Sequence, residues 1–464
     1  MWDDFRGDER VERSRLFATS VRTSITLWLT ERREDQRFAR FKTHFDVLQT
    51  VLTAMLDAID VELTEISDDQ RSVGIVYERC RAADNRLGLV RRTHEWYATK
   101  YDQRADARLA DTMRAADEVV RSCWREPFRG PVVPTGPLAY LDARFDASAT
   151  PRVSVPADLR APADRVVGQF VRELPIPLIA LPANCEIDPW WMVLVAHETG
   201  HHVQYDFAGA EQATRDALVA ATTTPAGDDE LAAAWNGWAR EVFADAYAVL
   251  MVGTAAAWAV HELQFGQLTN LVVAPAVGDR YPPPAVRIAL LGELARRLGL
   301  EEPGPSADDV LAWLETLDDQ AVPPQARAAV SAHLNVTEAA AGALIDLPIG
   351  GRTLRELCSW NPQAFKAGGE AHRWEQQLTR TNPQLSQRKT RSAARLGIAA
   401  GVRAYRSTPA GEGRDRLRAN LTSTLATCGE PGYLTGEPPL DVDSVAIRLT
   451  QTLLEAVPDQ TGGG

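Results

Sequence analysis

A disulfide framework is the first thing this chain excludes. Its five cysteines, at positions 80, 123, 185, 358 and 428, are an odd number and include no C-x-x-C pair, so neither a cross-linked secreted scaffold nor a cysteine-based zinc ribbon is expected. Lysine is as scarce, occurring only at 42, 100, 366 and 389, and arginine carries nearly all the positive charge. Fifty Lys and Arg against 63 Asp and Glu leave a net charge of −13, which argues against a general nucleic-acid binder. Long apolar runs are missing too. The longest, residues 246–260, falls short of the roughly 20 residues a bilayer core demands. Residues 1–6 are acidic and have no apolar centre, unlike a secretory signal. The expectation is a cytoplasmic protein that does not enter the membrane.

Histidine is also rare, with eight in 464 residues, and that makes one stretch stand out. Residues 190–202 read Trp-Trp-Met-Val-Leu-Val-Ala-His-Glu-Thr-Gly-His-His. His197 and His201 stand four apart, so on an α-helix their imidazoles leave the same face one turn apart, close enough to share a metal ion. Zinc accepts neutral imidazole and, in catalytic sites, keeps one position open for water. Glu198, next to the first ligand, is placed to take a proton from that water. With so few histidines, a chance H-E-x-x-H is expected on the order of 0.01 times in a chain of this length. The pairs His94-Glu95 and His261-Glu262 lack a histidine three residues on and read as ordinary helix residues.

The flanks specify the motif helix. Asp188 suits an N-cap and Pro189 the first turn, and residues 190–196 are apolar on all sides, as in a helix buried within a domain. Upstream, residues 174–182 are extended in character. Their prolines predict a sheet-edge strand, able to bind an extended peptide by strand addition. Cys185 lies between this strand and the helix, where a thiolate facing the metal would block it.

A third ligand is available forty residues after His201. The helical segment 238–247 carries Glu241 and Asp245 at i and i+4 among apolar residues, and two acids on a buried helix need a partner. Glu241 completes a His-His-Glu set. Asp245, one turn on, can accept the outward N–H of a ligand imidazole.

H-E-x-x-H followed by a helix with E-x-x-x-D is similar to the gluzincin zinc metallopeptidases. Glu241-Val-Phe-Ala-Asp245 looks closest to the branch of prenyl-protein endopeptidases and their bacterial heat-shock relatives. That branch carries H-P-x-x-x-x-R after the third ligand, and Tyr281-Pro282 through Arg287 has the same spacing with Tyr281 in place of the histidine. The resemblance spans about residues 170–300. It implies an α+β zincin core holding one zinc ion, with His197, His201 and Glu241 as ligands. Tyr281 would then be the donor to the transition-state oxyanion, and Arg287 would anchor its turn to a nearby acid. Those relatives are embedded in membranes, whereas this chain lacks such runs.

The rest of the chain frames this core. Residues 8–126 read as helices: Phe45, Leu48, Leu52, Met55, Ile59, Leu63 and Ile66 recur at three and four. Leu89, Trp96, Leu109, Met113, Val120 and Trp124 form a second series, and the two are expected to pair as an antiparallel hairpin. Such a bundle either packs on the core or recruits a regulatory partner or substrate. Residues 127–187 are proline-punctuated, with β-like runs at 139–145 and 152–155. A linker is expected at 301–306. Helices follow to about 425, interrupted at Pro348-Ile349-Gly350-Gly351, with neither a phosphate-binding loop nor a second metal motif. The expected organisation is therefore a mainly α-helical protein: an N-terminal bundle (1–126), a metallopeptidase core with a small β-sheet (127–304) and a C-terminal helical region with a flexible tail (305–464).

On this reading the chain is an endopeptidase acting on protein or peptide substrate, with Glu198 as general base. The rival is an interaction protein whose zinc is structural. That requires a fourth protein ligand, for which His202 and Tyr205 are the near candidates, and neither follows the ligand spacing. Hydrolysis of a non-peptide amide is the third reading.

Overall fold

A strand with no polar face divides the molecule. The computed structural model describes residues 6–68, 72–128, 134–143, 147–150, 174–223, 229–276, 278–386, 389–429 and 442–455. Among these, strand β1 (Leu138–Asp142), β2 (Ser148–Thr150) and β3 (Leu178–Pro182) form a sheet in the order β1-β3-β2. β1 runs parallel to β3, pairing Leu138 with Leu178, and β2 runs antiparallel to it, pairing Ser148 with Ala180. Successive side chains of β3 point to opposite faces. Leu178 and Ala180, with Leu138 and Tyr140 of β1, enter one hydrophobic core, while Ile179, Leu181 and Ala139 enter another.

The expected edge strand is thus the central one. Pro175 and Pro177 precede β3 and Pro182 ends it, so the missing N–H groups fall outside the stretch whose two edges are paired. The outer edge of β1 is closed by side chains: Gln103 donates to Leu141 O and accepts from Leu141 N, both at 2.8 Å. β2 forms the opposite edge. The run 152–155 lies outside the described residues.

Below the sheet lie α1 (Gly7–Glu34), α2 (Lys42–Asp68) and α3 (Val73–Asp102), packed on one another. All seven residues of the first apolar series lie on α2 and are buried. The second series does not make one helix. The chain turns at 103–109 and resumes as α4 (Ala110–Trp124), whose Ala115, Val119, Cys123 and Trp124 join the other core. A three-helix bundle therefore replaces the expected hairpin, because α1 supplies Val11, Val21, Ile25 and Leu29 to the same apolar stripe. The most C-terminal described helix, Val442–Glu455, packs on α2.

Above the sheet lies the second core. It contains the motif helix α5 (Leu194–Asp206), α6 (Ala210–Thr222), α7 (Asp229–Val252) and α8 (Thr254–Gln264). Helices Pro284–Arg297, Ala307–Glu315 and Pro324–Ile345, and later ones through Glu412–Ala426, add buried residues to it. The expected linker leads straight into a helix capped by Ser306, whose side chain accepts from Asp309 N. The region after residue 305 therefore shares its core with the motif helix. At 348–353 the predicted interruption is a hairpin, with Gly350 and Gly351 both at positive φ, as its tight turn demands. Among the described residues, no helix is long and apolar enough to cross a membrane.

Candidate metal centre

The motif helix begins with a 3-10 turn, Pro189–Val193, and continues as α5. Asp188 stands at the N-terminal boundary with Pro189 at the first position, but its carboxylate makes no cap hydrogen bond. Its backbone carbonyl accepts from Trp191 N instead, at 3.1 Å. Trp190, Met192, Val193, Leu194, Val195 and Ala196 are buried, as their composition implied. At the other end of the motif, His202 Nε2 lies 3.0 Å from Leu178 O. That contact ties α5 to β3 and removes His202 as a fourth ligand.

α5 and α7 cross at Gly200. A Cβ there would come within 2.9 Å of Ala244 Cα and 3.1 Å of Tyr247 Cβ, so only glycine lets the backbones meet this closely. The contact falls between His197 and His201 on one helix and between Glu241 and Asp245 on the other. It sets the height at which acids face imidazoles.

The resulting cluster is compact. One ligand atom from each of His197, His201 and Glu241 lies within 4.8 Å of the others. Glu241 Oε2 stands 3.4 Å from His197 Nε2 and 3.6 Å from His201 Nε2. These separations exceed a good N–H···O bond, and buried Oε2 has no hydrogen-bond partner. On the far side of the first ring, His197 Nδ1 lies 2.9 Å from Asp245 Oδ1, within reach of a hydrogen bond that would leave Nε2 free to donate its lone pair. Arg287 then holds Asp245 with two hydrogen bonds, Nε to Oδ2 at 2.7 Å and Nη2 to Oδ1 at 2.8 Å. An orphaned carboxylate oxygen between two imidazole nitrogens fits a cation, and the donor set of two nitrogens and one oxygen suits zinc. Among the described residues this is the group able to hold a metal ion.

Electrostatics agree with that fit. Burial alone would lower the pKa of His197, but its contacts with Asp245 and Glu241 outweigh burial and push it up to about 9. Burial likewise opposes ionisation of Glu241, yet the two imidazoles hold its carboxyl far below the usual carboxylate range. Asp245, desolvated but paired with Arg287 and His197, is brought down to about 2. The site is arranged to keep carboxylates ionised around a positive charge.

A cleft of about 280 Å³ opens onto His197, Glu198, Asp245, Tyr281 and Arg287, and its apolar wall includes Leu194, Val260 and Leu263. Glu198 is buried, at 7% exposure. The Tyr281 ring lies beside both Arg280 and Arg287, whose guanidinium carbons are 5.3 and 5.4 Å from its centroid. Burial, and then the charge of Glu241, raise the Tyr281 pKa, which keeps the phenol protonated. The residues expected to form the metal site, His197, Glu198, His201, Glu241, Asp245, Tyr281 and Arg287, therefore come together, whereas His202 and the exposed Tyr205 do not join them. Cys185 is also set apart: it is buried in the core, where desolvation pushes its thiol up to about 12, so it offers no thiolate.

Sequence reasoning missed Arg280, whose Nε donates to Glu241 Oε1 at 2.6 Å. Its adjacency to Tyr281 was the only local signal. No family model matches the chain, and neither a curated protein nor a solved structure matches it.

Proposed function

We propose that this chain is a zinc-dependent endopeptidase of the gluzincin type, with the motif helix, the acid helix and the small sheet as its zincin core. The observation that carries the reading is the buried His197–His201–Glu241 cluster with its unpartnered Oε2, placed beside a cleft that Glu198 also lines. A zinc ion held there would polarise a substrate carbonyl and lower the pKa of water. The protein's own residues supply the remainder. Glu198 accepts the proton of the attacking water and returns it to the leaving nitrogen. Tyr281 donates to the oxyanion as it forms, since its phenol remains protonated at neutral pH. Asp245 fixes the orientation of His197, and Arg287 fixes Asp245. The substrate backbone would lie along β2, an edge of the sheet among the described residues, which is preceded by Ala147 of the cleft lining.

A closed structural metal site lacks support, because His202 is engaged by the Leu178 carbonyl and Tyr205 is exposed. The test is metal analysis of the purified protein alongside cleavage of a peptide library by wild type and Glu198→Gln. One equivalent of zinc in both proteins, with cleavage only by wild type, supports the proposal. Equal cleavage by Glu198→Gln, or a wild type that binds no zinc, overturns it.

A further inference from the structure

We infer that Arg280 restricts Glu241 to one oxygen as a metal ligand, and so acts as a positioning residue that limits how much negative charge the ligand set donates. The inference rests on the metal reading above and not on the identity of the substrate. Glu241 is 99% buried and its two oxygens have different surroundings: Oε2 faces the two imidazoles and has no hydrogen-bond partner, while Oε1 accepts from Arg280 Nε at 2.6 Å. A carboxylate with one oxygen engaged by a guanidinium offers the other as a single donor. With both oxygens free, it can turn and bind through both. Arg280 also places a positive charge beside the ligand. That charge opposes the ion's own and leaves the ion a stronger Lewis acid.

Arg280 differs from Arg287, although both flank Tyr281. Arg287 is buried and makes two hydrogen bonds to Asp245. The Arg280 side chain is 69% exposed, so packing does not require it and its replacement should spare the fold. An exposed arginine reaching inward to a buried ligand acts on that ligand.

Cobalt(II) and zinc binding by full-length wild type, Arg280→Gln and Arg280→Lys separate the possibilities. If the inference holds, cobalt-loaded Arg280→Gln shows weaker visible bands than wild type, as expected when coordination number rises, and Arg280→Lys restores them. Chelator competition should show zinc held about tenfold tighter by Arg280→Gln, the order of effect of removing one positive charge near a divalent ion. Identical spectra and affinities for wild type and Arg280→Gln overturn the inference. So does weaker zinc binding with an unchanged spectrum, which would make Arg280 an ordinary orienting partner. A wild type that takes up neither metal defeats the metal reading itself.

Discussion

The helices on the two sides of the central sheet are built from the same residue types, yet they place charge differently. In the N-terminal bundle many ion pairs lie toward the surface, as where Arg22 meets Asp57 and Asp60 at 2.8 and 2.6 Å with all three side chains at least one third exposed. Such pairs contribute roughly 0.2–1 kcal/mol each. Across the sheet, Glu241, Asp245 and Arg287 sit together at 1%, 1% and 6% exposure. Desolvating such groups costs several kcal/mol per ion, and hydrophobic residues of similar volume would often serve stability equally well. On the proposed function, the costlier arrangement serves the metal site rather than stability. The bundle contributes by covering one face of β1 and β3.

The comparison breaks first if the bundle can be removed. Deleting residues 1–102 uncovers Leu138, Tyr140, Leu178 and Ala180, which are buried against it, so the truncated protein should aggregate or lose its helical circular dichroism. A soluble, folded truncation would instead mark the bundle as a separable arm. Across the sheet, Glu198→Gln should keep stoichiometric zinc and lose turnover by about 10²–10⁴-fold, measured by steady-state kinetics beside metal analysis. Tyr281→Phe should lower kcat by about 10²-fold with zinc content and KM little changed; normal turnover would assign the donor role elsewhere. For Asp245→Ala the expectation is a loss of zinc affinity of about 10- to 100-fold, read by chelator competition. The smallest effect belongs to the bundle surface: Arg22→Ala should change unfolding free energy by no more than about 1 kcal/mol, and a larger change would mean that its exposed pairs work as a network.

Much of the site was legible because its signals are local. His197 and His201 share a helix face by spacing alone, as do Glu241 and Asp245, and the apolar residues around both pairs required burial. Tyr281 and Arg287 were found by spacing relative to a known pattern. Arg280 was not found, since nothing periodic marks it and its partner is 39 positions earlier. Gly200 stands between the two histidines in the sequence, but only the fold shows that Ala244 of another helix comes to lie against it.

What the sequence determined by itself was therefore the set of elements and their faces: the α2 stripe from Phe45 to Ile66, the motif helix, the acid helix, and a strand rich in apolar residues after Pro177. Helical and strand periodicities bind residues within one or two turns of each other, so they can be read along the chain. Tertiary structure decided the order β1-β3-β2, the transfer of α4 to the core above the sheet, the engagement of His202 by Leu178, and the pairing of Arg280 with Glu241. Each of these depends on which surfaces meet across tens or hundreds of residues. Such meetings are selected by total apolar burial and by the need of every buried polar group for a partner, and neither quantity is a property of any single stretch of sequence.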